Sequence, residues 1–127
     1  MRQPLVIINE QHTLLDSQVE LLLNRFGVDG WNTLPVPAEG WNRTEMDAVM
    51  ASEDFETETV VFVSPIPYMI KMLTAAAMAN MHIPNIITDY SRTVESVLLM
   101  CNDTREKKEL PNGKIIFTVA KTGWYLA

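Results

Sequence analysis

Hydrophobic and polar positions along the chain predict strands and helices in turn. Short apolar runs, several of them rich in valine or isoleucine, predict four buried strands, at residues 4–9, 31–36, 59–63 and 84–88. Between these runs, apolar residues recur at helical spacing over residues 13–26, 43–52 and 68–81. Strands that alternate with helices in this order are typical of an α/β sandwich with a parallel sheet.

The carboxy-terminal part of the chain has a different pattern. Residues 94–105 form a further β-rich run. The turn Leu110-Pro111-Asn112-Gly113 follows it and precedes another β-rich run at residues 114–119. Asn-Gly between two such runs is a strong hairpin signal. The sequence therefore predicts one domain over residues 1–127: a three-layer, Rossmann-like α/β sandwich with a mostly parallel sheet and a C-terminal β-hairpin, whose strands join the sheet at an edge.

Polar residues follow three of the predicted strands. They are residues 9–12, the turn Ser64-Pro65-Ile66-Pro67, and residues 89–92. The carboxyl ends of parallel strands lie on one rim of a sheet, and ligands bind along that rim where the strand order reverses. The sequence thus predicts a ligand site formed by these three clusters.

The predicted helix at residues 68–81 is apolar on nearly every side. Such a helix must be buried on most of its surface, and in a small chain a second subunit can provide the cover, so we expect a homodimer. The acidic residues 53–58 are interpreted as a solvated loop.

Charge and hydropathy limit the partners. The chain has 16 acidic and 10 basic residues and a net charge of −6. Proteins that hold long nucleic acid through its phosphates have a basic face, so we expect no binding of long DNA or RNA. A small anionic ligand remains compatible, because a helix amino terminus and one or two arginines suffice to bind it. No apolar run has the length of about 20 residues that a membrane span needs.

Motifs for metals and cofactors are missing from the sequence. There is no Walker-type phosphate loop, no GxGxxG and no zinc-like spacing of cysteine and histidine, so no metal and no cofactor is expected. The single cysteine, Cys101, lies in an apolar run and is interpreted as a buried, reduced thiol. With no signal-peptide pattern at the amino terminus, this predicts a cytoplasmic protein.

Four candidate groups have both a structural and a functional interpretation. Ser64 can cap the following helix, or its turn can offer backbone amides to a phosphate. His12 is either a structural histidine at a helix start or a group that orients a hydroxyl. Arg92 and Arg105 can each bind a phosphate through two hydrogen bonds, or can simply be solvated.

The stretch His12-Thr13-Leu14-Leu15-Asp16-Ser17-Gln18 resembles a known pattern, Ser-His-x-Leu-Thr-x-x-Gln, which follows the first strand of small CRISPR-associated proteins with the CARF-like fold. The proline-rich turn, the alanine-rich helix, the pair Thr104-Arg105 and the hairpin turn also resemble that family. The resemblance covers most of the chain in the order of its elements and rests on short motifs.

The resemblance implies a dimeric ring nuclease that binds and cleaves cyclic oligoadenylate, with cyclic tetra-adenylate the first expectation, and so switches off antiviral signalling. Cleavage would use the ligand's own ribose 2′-hydroxyl as nucleophile, which requires positioning and electrostatic stabilisation and no metal. His12 and Arg92 would be the catalytic groups. The ligand-binding residues would be Asn9, Gln11, Ser64, Pro65, Tyr90, Ser91, Thr104 and Arg105.

Two positions depart from the family's pattern. Gln11 stands where the family has serine, and Leu15 stands where it has threonine. Two hydroxyl groups are therefore missing from the expected rim. This keeps an alternative open, a module that binds a nucleotide messenger without cutting it, or a protein-interaction domain.

Overall fold

The computed structural model of the chain describes residues 3–82 and 93–127. In chain order its elements are β1 (Leu5–Asn9), α1 (Asp16–Phe26), β2 (Asn32–Val36), α2 (Arg43–Met50), a 3-10 helix (Glu53–Phe55), β3 (Thr59–Phe62), α3 (Pro67–His82), β4 (Ser96–Asn102), β5 (Arg105–Glu109), β6 (Ile115–Val119) and β7 (Trp124–Leu126). The predicted strand at residues 84–88 and the candidate site residues Tyr90, Ser91 and Arg92 lie outside the described residues.

The main sheet has five strands in the order β2-β1-β3-β4-β7. The first four strands are parallel, and β7 pairs antiparallel with β4 at one edge. The register aligns Ile7 of β1 with Phe62 of β3, and Phe62 with Leu99 of β4. A mostly parallel sheet covered by helices confirms the predicted α/β sandwich.

Alternate residues of the strands face two hydrophobic layers. Leu5, Ile7 and Phe62 pack with residues of α2 and α3, including the fully buried Met50 and Met69. Their neighbours in sequence turn to the other face: Val6 and Val61 pack with Leu22 and Phe26 of α1 and with Trp124 of β7. Burial of both faces explains why these strands read as continuous apolar runs.

The positions of the helices follow from the strand order. From β1 the chain moves through α1 to β2 on one side, and then returns through α2 to β3 on the other side of β1. When crossovers keep one hand, a reversal of direction changes the face on which the helix lies. Accordingly α1 covers one face, and α2 and α3 cover the other.

The carboxy-terminal hairpin is present, but it does not extend the main sheet. β5 and β6 pair with each other as a separate two-stranded sheet. The strand that joins the edge is β7, which the hydrophobic pattern did not predict. The prediction that the hairpin strands join the sheet is therefore wrong, because the three residues of β7 occupy the place beside β4.

The acidic segment at residues 53–58 is more than a solvated loop. Phe55 is fully buried in the hydrophobic layer of α2 and α3. The buried Thr57 donates its hydroxyl to the Gln3 carbonyl oxygen at 2.8 Å. The segment thus anchors the connection between α2 and β3 while its carboxylates face the solvent.

Helix α3 is largely covered within the single chain. Met69, Leu73, Ala76 and Ala77 are buried, whereas Met78 is 57% exposed. The apolar character that suggested a second subunit is thus mostly explained by packing on the sheet, and the homodimer stays a prediction. Within the described ranges, no helix is long and apolar enough to cross a membrane.

Candidate functional site at the strand-order reversal

The candidate site lies where β1 stands between β2 and β3. Strand order reverses at β1, so the connections after β1 and β3 leave in opposite directions and open a crevice between their carboxyl ends. We call the polar residues at this position, Asn9 to His12 together with Ser64 and Pro65, the switch-point rim. Two of the three predicted polar clusters therefore meet at one place.

A hydrogen bond joins the two halves of the rim. The backbone N–H of Asn9 donates to the Ser64 Oγ at 2.9 Å. The backbone N–H of Ser64 in turn donates to the Ile7 carbonyl oxygen at 3.3 Å. The end of β3 is thus fixed against the end of β1, and the Ser64 hydroxyl lies at the crevice.

Asn9 also shapes the turn that leaves β1. Its Oδ1 accepts the N–H of Gln11 at 2.9 Å, and its carbonyl oxygen accepts the N–H of His12 at 2.9 Å. Asparagine favours such turns because its side chain can bind the backbone two residues later. The turn leaves Gln11 and His12 exposed at the rim.

Glu10 has a structural function on the β2 side. Its N–H donates to the Val36 carbonyl oxygen at 2.8 Å, and its Oε1 accepts the N–H of Ala38 at 2.9 Å. Glu10 thereby ties the end of β1 to the segment after β2. Part of the polarity of residues 9–12 is accordingly explained by hydrogen bonds within the chain.

Two hydrogen-bond donors remain at the rim. The Asn9 Nδ2 and the Ser64 hydroxyl proton have no acceptor among residues 3–82 and 93–127. Asparagine offers two amide protons and serine one hydroxyl proton. Their placement at the crevice, in and beside the turn that also carries the exposed His12, suits a ligand rich in acceptor oxygens, such as a phosphodiester.

Ser64 does not cap α3, contrary to one of its predicted functions. The helix begins at Pro67, three residues later, and the Ile66 carbonyl oxygen accepts the N–H of Ile70 at 3.0 Å. Proline suits the first helical position because that position has no intrahelical N–H bond to lose. Pro65 is exposed between the rim serine and the helix.

Thr104 and Arg105 emerge from the same rim, but two strands away. β4 lies two strand spacings from β1, about 10 Å at the usual distance of ~4.8 Å between neighbours. The Thr104 N–H donates to the Asn102 Oδ1 at 2.6 Å, and its hydroxyl donates to the Asp103 Oδ1 at 2.9 Å. Arg105 is exposed at the start of β5. These two residues are therefore peripheral to the switch-point rim.

Sequence reasoning missed an aromatic and a cationic residue on this side of the sheet. Arg43 begins α2 and Tyr68 lies in the first turn of α3, and these helices follow β2 and β3. The Arg43 guanidinium lies 5.6 Å from the centroid of the Tyr68 ring, and the Tyr68 hydroxyl donates to the Asp47 Oδ1 at 2.7 Å. The sequence signal that could have identified Arg43 and Tyr68 was their position at the starts of the helices that follow two strands.

The motif that carries the family resemblance has mainly a structural function. Gln18 is 4% exposed, and its Oε1 accepts the N–H of Leu15 at 2.9 Å. Threonine or serine followed three residues later by glutamine is the pattern of a capping box, in which both side chains bond to the helix start. Leu15 has no acceptor atom, so only the glutamine half forms. Position 15, where the family has threonine and this chain has leucine, therefore belongs to the start of α1.

A surface depression of about 290 Å³ lies at the opposite end of the strands from the switch-point rim. It is lined at the amino ends of β1 and β3 by residues that include Gln3, Arg25, Asp29 and Glu58. The Gln3 side-chain amide donates to the Asp29 carbonyl oxygen across it. This depression is separated from the switch-point rim by the length of the strands.

No group of three or more histidine, cysteine, aspartate or glutamate residues within residues 3–82 and 93–127 is arranged to hold a metal ion. Comparison with known proteins finds no matching family model, no matching curated protein and no matching solved structure, so the resemblance to CARF-like proteins rests on the short motifs alone.

Proposed function

We propose that the switch-point rim binds a cyclic oligoadenylate and that the protein cleaves it as a metal-independent ring nuclease. The observation that carries this proposal is the 2.9 Å hydrogen bond from the Asn9 N–H to the Ser64 Oγ. It holds two side-chain donors together at the position where α/β sheets bind ligands. The motif resemblance at residues 12–18 supplies the ligand class.

In the proposed reaction the ribose 2′-hydroxyl of the ligand attacks the adjacent phosphorus. A new O–P bond forms, the bond to the 5′-oxygen breaks, and a 2′,3′-cyclic phosphate results. His12 accepts the hydroxyl proton or donates a proton to the leaving oxygen, while Asn9 and Ser64 donate hydrogen bonds to the phosphate. Arg92, which lies outside the described residues, would stabilise the charge that develops.

Binding without cleavage is the second candidate, and the surroundings of His12 favour it. Its imidazole is exposed, and no side chain among residues 3–82 and 93–127 donates to it or accepts from it. Catalytic histidines are ordinarily oriented by a second group. A module that binds the messenger and lowers its free concentration needs the donors but no oriented base.

The test is a panel of cyclic di-, tri-, tetra- and hexa-adenylates, with other cyclic dinucleotides as controls. Thermal unfolding reports binding, and chromatography of the incubated ligand reports cleavage. Binding to the folded state alone raises the melting temperature as the ligand concentration exceeds Kd. A shift with cleavage supports the ring nuclease, and a shift without cleavage supports the binding module. No shift with any member contradicts both.

A matched pair of variants locates the site. Asn9→Asp keeps the acceptor for the Gln11 N–H but replaces the amide donor with a carboxylate that repels phosphate. Asn24→Asp makes the same change on an exposed position of α1. We expect Asn9→Asp to abolish the ligand-induced shift and Asn24→Asp to retain it. Equal behaviour of the two variants would remove the rim from the proposal.

A further inference from the structure

The hairpin of β5 and β6 has two outer edges of opposite character. All five residues of β5 are charged, whereas β6, with the sequence Ile-Ile-Phe-Thr-Val, has no charged residue. Ile115 is 50% exposed and Phe117 is 68% exposed. Within the described ranges no third strand pairs with either edge. A two-stranded ribbon of this kind is marginally stable alone.

The turn of the hairpin fixes which backbone groups face outward. The Leu110 carbonyl oxygen accepts the N–H of Gly113 at 2.9 Å, and the Leu110 N–H donates to the Lys114 carbonyl oxygen at 2.7 Å. Gly113 has a φ of 83°, which completes a three-residue loop. Bonded pairs alternate along an antiparallel ladder, so the next ones are Lys108–Ile116 and Glu106–Thr118.

The remaining residues of β6 therefore present a free edge. The N–H and C=O groups of Ile115, Phe117 and Val119 point away from β5, because these residues occupy the non-bonded positions. Open strand edges are usually protected by charged side chains, since they otherwise pair with another chain. Such charges protect the β5 edge and are missing from the β6 edge.

We propose that β6 pairs antiparallel with β6 of a second copy of this chain, on a two-fold axis at Phe117. In this register Phe117 opposes the partner's Phe117, and Ile115 opposes the partner's Val119. The three residues whose backbone groups face outward are thus the three that form bonded pairs. The result is a four-stranded sheet in the order β5, β6, partner β6, partner β5.

The choice of a second copy follows from the sequence of the edge. A strand paired with itself across a two-fold axis must match its own reversed sequence. β6 does so with apolar residues at both ends and at the centre, and it brings no charges together. The same arrangement through β5 would pair only charged side chains, with Lys107 opposite the partner's Lys107, and it would bury no apolar side chain.

The proposed interface is small, so we expect a weak dimer that dissociates when the protein is diluted. The net charge of −6 on each copy opposes it, and salt screens this repulsion. We therefore expect the dimer fraction to rise with protein concentration and with ionic strength. This interface is separate from the α3 surface and does not depend on the proposed function.

The first test compares two substitutions that add the same charge. Phe117→Lys places a lysine at the centre of the free edge, and Val28→Lys places one at a position that is 96% exposed in the α1–β2 connection. Sedimentation velocity should give a dimer for the wild type and Val28→Lys and a monomer for Phe117→Lys. A monomeric wild type at every concentration, or a dimer that survives Phe117→Lys, would overturn the proposal.

A second test fixes the register and does not depend on the folding of the lysine variant. In a background with Cys101→Ser, Phe117→Cys places two thiols across the axis. The Cβ atoms of a directly opposed antiparallel pair are about 4.5–5.5 Å apart, a separation that a short bismaleimide reagent spans. We expect this reagent to cross-link Phe117→Cys into a covalent dimer much faster than Val28→Cys. Equal rates would contradict the register.

Discussion

Asn9 combines more hydrogen bonds than any neighbour at the rim. Its N–H binds Ser64, its Oδ1 binds the Gln11 N–H, and its carbonyl oxygen binds the His12 N–H. Aspartate could form the same three bonds, but its side chain would bring a negative charge and no donor. The rim thus depends on one side chain that builds the turn and still presents an amide to a ligand.

A substitution of His12 gives the sharpest test of a single residue's role. Its backbone N–H forms the turn, whereas its exposed side chain makes no described contact, so His12→Ala should leave the melting temperature nearly unchanged. If the imidazole transfers a proton in ring cleavage, the variant should cleave about 10²-fold more slowly or worse, the usual effect of losing a positioned acid or base. Single-turnover cleavage and thermal unfolding measure the two quantities.

Asn24→Ala serves as the control for His12→Ala, because Asn24 is an exposed residue of α1 away from the rim. It should cleave at the wild-type rate and unfold at the same or a slightly higher temperature, because alanine favours an exposed helical position. A His12→Ala protein that cleaves at the full rate but unfolds several degrees lower would make His12 a structural histidine.

The meeting of Asn9 and Ser64 was predictable, but their bond was not. Both follow apolar runs, and parallel strands bring their carboxyl ends to one rim. The partner of the Ser64 hydroxyl lies 55 positions earlier in the chain, whereas local patterns assigned Ser64 to the helix three residues ahead. Local sequence rules predict a hydrogen-bond partner for a hydroxyl among nearby residues. Tertiary contacts determine which partner it has in the folded protein.

The start of α1 shows how an incomplete cap limits a helix. Leu15 is the N-cap residue, with extended φ and ψ of −72° and 154°, and it provides no side-chain acceptor. Leu15→Thr should complete the box with Gln18, and its hydroxyl should stabilise the protein by about 0.5–2 kcal/mol relative to Leu15→Val. Its melting temperature, measured by calorimetry, should be several degrees above that of Leu15→Val.

Leu15→Val is the matched control, since valine has the shape of threonine without its hydroxyl. The difference between the two variants isolates the capping hydrogen bond from the loss of leucine's apolar surface. If threonine and valine unfold at the same temperature, the hydroxyl does not cap α1.

Two short elements were missed for the same reason. β7 has three residues, too few to show a period, and the 3-10 helix has one apolar residue, Phe55, among acids. The larger elements have several apolar residues at regular spacing, so their pattern survives single exceptions. The hairpin turn was predicted because Pro111, Asn112 and Gly113 each suit one position of it.

The whole molecule is acidic, and this charge limits the ligands that it can bind. With a net charge of −6, the field of the protein repels a long polyanion but permits a small anion at a local set of donors. We expect no retardation of unrelated DNA or RNA oligonucleotides at physiological salt in a gel-shift assay.

The same assay in low salt provides the control, because any weak contact through phosphates would strengthen as the screening is removed. Tight, salt-resistant binding to an unrelated oligonucleotide would contradict the expected selectivity for a small ligand.

At the base of the hairpin, the segment that follows β4 lies against the segment that precedes β7. The Asp103 N–H donates to the Gly123 carbonyl oxygen at 3.2 Å, and the Asn102 Nδ2 donates to the Thr122 carbonyl oxygen at 3.0 Å. A Cβ on Gly123 would lie 2.3 Å from the Thr104 Oγ1, so no larger residue fits between the two passing segments. Because the hairpin enters and leaves at one point between β4 and β7, we expect a shorter turn in place of β5 and β6 to leave the strands that build the rim intact.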